Sequence, residues 1–122
     1  MPELVLLMVF GVALSIALHE LGHASGAPHR LNRDLSASFG SKKYAFEELI
    51  AEINAAFCCA SLGIVPTVRH ADYIGSWLEV LREDDRAIVR AASAASKAAE
   101  FILGFQPGID QRAAADDERE AA

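Results

Sequence analysis

The chain has 122 residues, enough for one compact domain and too few for two. Hydrophobic residues make up 52% and charged ones 23%, which excludes a disordered polyelectrolyte. The net charge of −6 excludes the basic surface that a duplex-DNA binder needs, so no direct nucleic-acid binding is expected.

Leu4 to Leu18 is a run of 15 uncharged, mostly apolar residues. As a helix it would measure roughly 22 Å at about 1.5 Å per residue. A bilayer core needs about 20 apolar residues, so no membrane span is expected. The opening Met1-Pro2-Glu3 lacks the basic start of a secretory signal. The run therefore reads as a helix buried in protein, or one that self-associates or has lost a covering partner. Gly26 and Pro28 end it, and residues 27–43 read as a loop.

Ser41 is placed to cap a second helix, Lys42 to Leu62, stopped by Gly63 and Pro66. A third helical pattern covers His70 to Leu81, with Tyr73, Ile74, Trp77, Leu78 and Leu81 on one stripe. Asp84 or Asp85 is expected to cap a fourth, alanine-rich helix running to about Phe105. Beyond it, residues 106–122 read as an acidic, disordered tail, with five acids and two bases from Asp110 onward. The reading is all-α, about four helices, with residues 1–105 as the folded domain. Alanine is the commonest residue and aromatics make up only 7%, which favours close, small-residue helix packing. The two cysteines, Cys58 and Cys59, are adjacent, so no disulfide framework exists; they read as small buried residues of a cytoplasmic, reducing compartment.

His19-Glu20-Leu21-Gly22-His23 is an HExxH motif. On a helix, positions i and i+4 share a face, so both imidazoles can reach one metal. Glu20 lies one step round, where it can activate a water as a general base instead of ligating. A catalytic zinc site takes three protein ligands, and the second helix offers Glu47, Glu48 and Glu52. At about 100° per residue, Phe46, Leu49, Ile50, Ile53 and Phe57 form the bulky apolar face. Glu47 falls with Lys43, Asn54 and Ser61 on a polar stripe that is expected to face solvent. Glu48 and Glu52 share a face with Ala51, Ala55 and Cys59, which would let another helix approach closely. One of them is expected as the third ligand and the other as an acceptor for a ligand histidine. His29, in the loop just after the motif, could face the site and stabilise an oxyanion on a substrate. His70, near Tyr73 at the start of the third helix, could stabilise an oxyanion on a substrate.

Three blocks in order carry a family resemblance: HELGHASGAPHRLNRDLSASFGS, YAFEELIAEINAAFCCASLGI and HADYIGSWLEVLREDDRAIVRAASAASKAAEF. Over residues 19–105 the chain resembles the zincin-like metallopeptidase domain of ArdC-type antirestriction proteins. The resemblance implies a zinc site of the HExxH-plus-Glu kind, with His19, His23 and Glu48 as ligands. Glu20 would be the base, and Glu52, four positions after Glu48, would be the second-layer acceptor. It implies hydrolysis of a peptide or protein substrate in a mobile-element setting. The single-stranded-DNA-binding domain of those proteins, and the sheet that zincins place before the metal helix, have no counterpart here. The expectation is thus an N-terminally truncated domain: the helical metal-binding half of the fold without its sheet. A catalytically inactive antirestriction remnant acting by partner binding is the alternative. The first 26 residues also resemble the motif helix of site-2-type intramembrane proteases, which need further membrane spans.

Overall fold

The computed structural model describes residues 2–65 and 71–106, with side chains except those of 71–76. Among these residues four helices follow in order: α1 (Pro2–Ala24), α2 (Lys42–Leu62), α3 (Ala71–Glu83) and α4 (Ala87–Leu103). Among the described residues there is no strand. The fold is all-α.

The bounds of α2 follow from its ends. Ser41 Oγ accepts the backbone N–H of Tyr44 at 3.2 Å, filling one of the free donors of the first turn. At the other end Gly63 turns left-handed (φ 69°) and returns its N–H to the Cys59 carbonyl. The start of α4 departs from expectation. Arg86 occupies the N-cap with no side-chain bond, and Asp84 accepts the backbone N–H of Arg86 at 3.0 Å, one residue before the helix begins. A short turn between α3 and α4 takes up the aspartates, so neither can sit at the cap itself.

α2 is the central helix, packed against α1 on one side and α4 on the other. Towards α4, Leu49 and Ile50 meet Ala91 and Ala95, with Phe46, Ile53 and Trp77 closing the edges. Alanines at 87, 91, 95, 98 and 99 are all buried and keep the axes close. Towards α1 and the end of α4, Ala55, Cys58 and Cys59 pack with Leu18 and Ala99. Both cysteines are free and buried, and burial pushes the Cys58 thiol up, away from reactivity. Phe57 and Leu78, expected on apolar faces, are 40% and 46% exposed: each lies beyond the arc its neighbours cover. The side chains of Tyr73 and Ile74, and all of residues 107–122, lie outside the described set.

The polar stripe on α2 is the main correction to the sequence reading. Asn54 is fully buried, and its Nδ2 donates to the Leu18 carbonyl of α1 at 2.9 Å. A helix covered on two sides has no simple inside and outside, and the line through Glu47 and Asn54 runs along the α1 seam. Gly22 makes that seam tight. A Cβ there would stand 2.8 Å from Asn54 Nδ2 and 3.2 Å from Ala51 Cα.

α1 is longer than the apolar run predicted it, and by length and composition alone it could cross a membrane. Its C-terminal half is packed through Ser15, Leu18 and Gly22, which fall on one face. Residues 2–10 and 12–14 are open to solvent on every side, and Leu4 to Phe10 are each 55–70% exposed. That open length is roughly 20 Å at 1.5 Å per residue, short of a hydrocarbon core of about 30 Å.

Candidate metal centre

His19 and His23 stand one turn apart on α1 and face α2 across the tight seam. Their Nε2 atoms are 3.1 Å apart. His19 Nε2 lies 3.2 Å from Oε2 of Glu48, and His23 Nε2 lies 3.0 Å from Oε1 of the same residue. Glu48 is only 4% exposed. Two imidazole nitrogens this close share either a hydrogen, as an N–H···N hydrogen bond, or a metal ion. For a tetrahedral ion with bonds of about 2.0–2.1 Å, neighbouring donors lie roughly 3.3 Å apart. Separations of 3.0–3.2 Å fit that requirement, and two nitrogens plus one carboxylate are a donor set suited to zinc. These three residues could hold a divalent ion.

Each histidine also meets a carboxylate on its far nitrogen. Glu52 Oε1 lies 3.0 Å from His19 Nδ1, close but not aligned as a hydrogen bond. Contact with Glu52 raises the His19 pKa; burial opposes this, and the charges of Glu52, Glu48 and Glu20 add to it. Glu47 Oε1 lies 3.3 Å from His23 Nδ1, placed to accept its proton. Burial alone would raise the Glu47 pKa, but the hydrogen bonds from His23 and Arg33 outweigh it and hold the carboxyl below its ordinary value. Glu47 is therefore not a solvated member of a polar stripe, as the helical phase suggested, but a buried partner of the site.

Arg33 was not singled out by the sequence either. It sits in the loop 25–41, which folds back on the end of α1 through Leu31 N to Ser25 O (3.0 Å) and Arg33 N to Gly26 O (2.9 Å). Its Nε and Nη2 donate to the two oxygens of Glu47 at 3.0 and 2.7 Å. Glu47 left one signal in the sequence, its seven-residue spacing from Asn54 on the same line of α2; Arg33 left none.

Glu20, next in sequence to His19, is exposed, and its charge is felt at His19. A cavity of about 270 Å³ adjoins His23 and Glu48 and is lined also by Leu35, Ala37, Tyr44, Asp34 and Glu47. His29 is exposed in the loop. His70 lies outside the described residues, and Tyr73 has only its backbone described, in the first turn of α3.

The model of the zincin-like metallopeptidase family matches residues 11–94, a stretch that includes α2, α3 and the HExxH end of α1. The chain belongs to this family. Among its relatives, the uncharacterized protein y4eC of Sinorhizobium fredii is 49% identical over 87% of the chain. A DNA primase TraC of Escherichia coli is 50% identical over 74% of the chain. The chain spans 35% of the first and 9% of the second. The antirestriction protein ArdC of plasmid R388, solved with Mn(II) bound, superposes with a TM-score of 0.67 at 42% identity, covering 75% of this chain and 36% of that one. Its metal-free structure gives 0.59.

Proposed function

We propose that the chain is a zinc-dependent metallopeptidase domain that hydrolyses peptide bonds, in the mobile-element setting of its antirestriction relatives. His19, His23 and Glu48 hold the ion, and Glu20 acts as the general base. Glu47 accepts from the far nitrogen of His23 and Glu52 stands against that of His19, which holds the rings with Nε2 free to ligate. The single observation that supports this reading is the convergence of three donors at 3.0–3.2 Å around a buried carboxylate. The Mn(II)-bound relative points to a divalent ion, and the N₂O donor set favours zinc.

Zinc at this position would supply Lewis acidity, polarising the scissile carbonyl and acidifying a water. Glu20 takes a proton from the attacking water as its oxygen bonds to the carbonyl carbon. It then delivers that proton to the departing nitrogen as the C–N bond breaks. His70 and Tyr73 are the candidates for stabilising the oxyanion. The free buried thiols suit a reducing, cytoplasmic setting.

The test is hydrolysis of an unfolded protein by the zinc-loaded chain, compared with Glu20→Gln. The expected result is equal zinc content with a rate lower in the variant by on the order of 10²–10⁴-fold. Stoichiometric zinc with no turnover by the wild-type chain would overturn the peptidase reading and favour a remnant that acts by partner binding.

A further inference from the structure

The Arg33 guanidinium makes four hydrogen bonds, and they converge on His23 from two directions. On the ring side, Nε and Nη2 grip both oxygens of Glu47, and Glu47 Oε1 is the atom facing His23 Nδ1. On the backbone side, Nη2 donates to the Gly22 carbonyl at 2.6 Å, the peptide oxygen immediately before His23. Nη1 completes the fork on Ser25 Oγ at 3.2 Å, and that hydroxyl itself donates to the Gly22 carbonyl. Gly22 O is one of the last-turn carbonyls that a helix cannot satisfy internally, and a cation suits that end of the helix dipole. Gly26 makes room: a Cβ there would stand 2.8 Å from Arg33 Nη2 and 2.9 Å from Cζ.

We propose that Arg33 is a positioning residue of the metal centre, holding Glu47 so that the ring of His23 keeps Nε2 aimed at Glu48 and His19. The inference rests on the metallopeptidase reading and deepens it. Glu47 is 9% exposed, and a carboxylate that buried needs firm partners. His23 offers it a single N–H, whereas the planar guanidinium offers a two-point grip that a lysine cannot reproduce. Without the fork, Glu47 is drawn to water, and the ring it orients is free to turn. On the His19 side, Glu52 meets Nδ1 from the same face of α2 as Glu48. The loop 25–41 thereby becomes part of the site, although it contributes no ligand.

The experiment measures Zn(II) affinity by competition with a chromophoric chelator for the full chain, Arg33→Met, Glu47→Gln and the double variant, with helicity followed by circular dichroism. Arg30→Met, which removes an exposed guanidinium bonded to the Ala24 carbonyl, is the control. Arg33→Met is expected to keep its helicity and bind zinc about 10–100-fold more weakly, and Arg30→Met to bind as the wild type does. If Arg33 acts through Glu47, the double variant is no weaker than the weaker single one; a purely structural loss would add to the Glu47→Gln loss. Unchanged affinity in Arg33→Met, or full additivity, overturns the proposal while leaving the metal centre standing. Absence of zinc binding by the wild-type chain overturns the centre, and this inference with it. Should Arg33→Met lose helicity, Arg33→Lys carries the same cycle, because it keeps the charge and the stem and removes only the fork.

Discussion

Glu47, Glu48 and Glu52 are the same side chain on the same helix, and their surroundings assign them different work. Glu48 alone reaches both Nε2 atoms, so Glu48→Ala is expected to abolish stable zinc binding in an equilibrium titration. Glu52→Ala and Glu47→Ala should each weaken it about 10–100-fold, as loss of an acceptor behind a ligand histidine does. Helical phase alone predicts no effect at Glu47. A wild-type affinity in Glu47→Ala would mean that its contact with His23 has no bearing on the metal.

The same surroundings make a pH prediction. In the metal-free chain His19 should titrate above its ordinary 6.5, and Glu52→Gln should lower that value, as followed by NMR of the ring protons. A folded pKa above the unfolded one means that His19 stabilises the metal-free fold fully below about 6.5, an advantage lost as pH rises through the raised value. Zinc affinity runs the opposite way, weakening as pH falls, because the ion needs the neutral ring. A His19 pKa at or below 6.5 would contradict the Glu52 contact. At this scale the sequence disclosed the HExxH motif by its spacing. It hid Arg33, because the loop return that brings it back to α1 leaves no periodic trace.

At the scale of elements, α2 was readable to the residue because both of its ends carry local chemistry, Ser41 at one and Gly63 at the other. Ser41→Ala should cost about 1 kcal/mol in denaturant unfolding, the usual worth of an N-cap. Its two-sided burial was not readable, since the alternation of bulky and polar residues describes one covered face and α2 has two. The α1–α2 seam offers the sharper test. Gly22→Ala keeps the motif but sets a methyl group against Asn54 and Ala51, and overpacking of this kind costs about 1–3 kcal/mol. A melting temperature unchanged in Gly22→Ala would show that the helices are not held this closely.

At the scale of the molecule, the packed half of α1 and its open half belong to different environments. Leu4 to Phe10 show no stripe that a single flat partner face would cover, and a helix apolar all round is normally enclosed. The isolated chain should therefore bind an apolar dye strongly and elute above its monomer volume in size-exclusion chromatography. A clean, dye-silent monomer would contradict the exposed helix. The number and order of helices were legible from caps and periodicity, and so was the absence of a disulfide framework. What covers the open half of α1 is written nowhere in the local pattern, because an apolar run is the same whether protein or solvent surrounds it.

Elemental analysis of the purified chain beside Glu48→Ala tests whether His19, His23 and Glu48 form a zinc site. About one equivalent of zinc is expected in the wild-type chain. Glu48→Ala should carry almost none, with helicity unchanged. Less than about a tenth of an equivalent in the wild type after incubation with zinc at neutral pH, or undiminished zinc in Glu48→Ala, would contradict it.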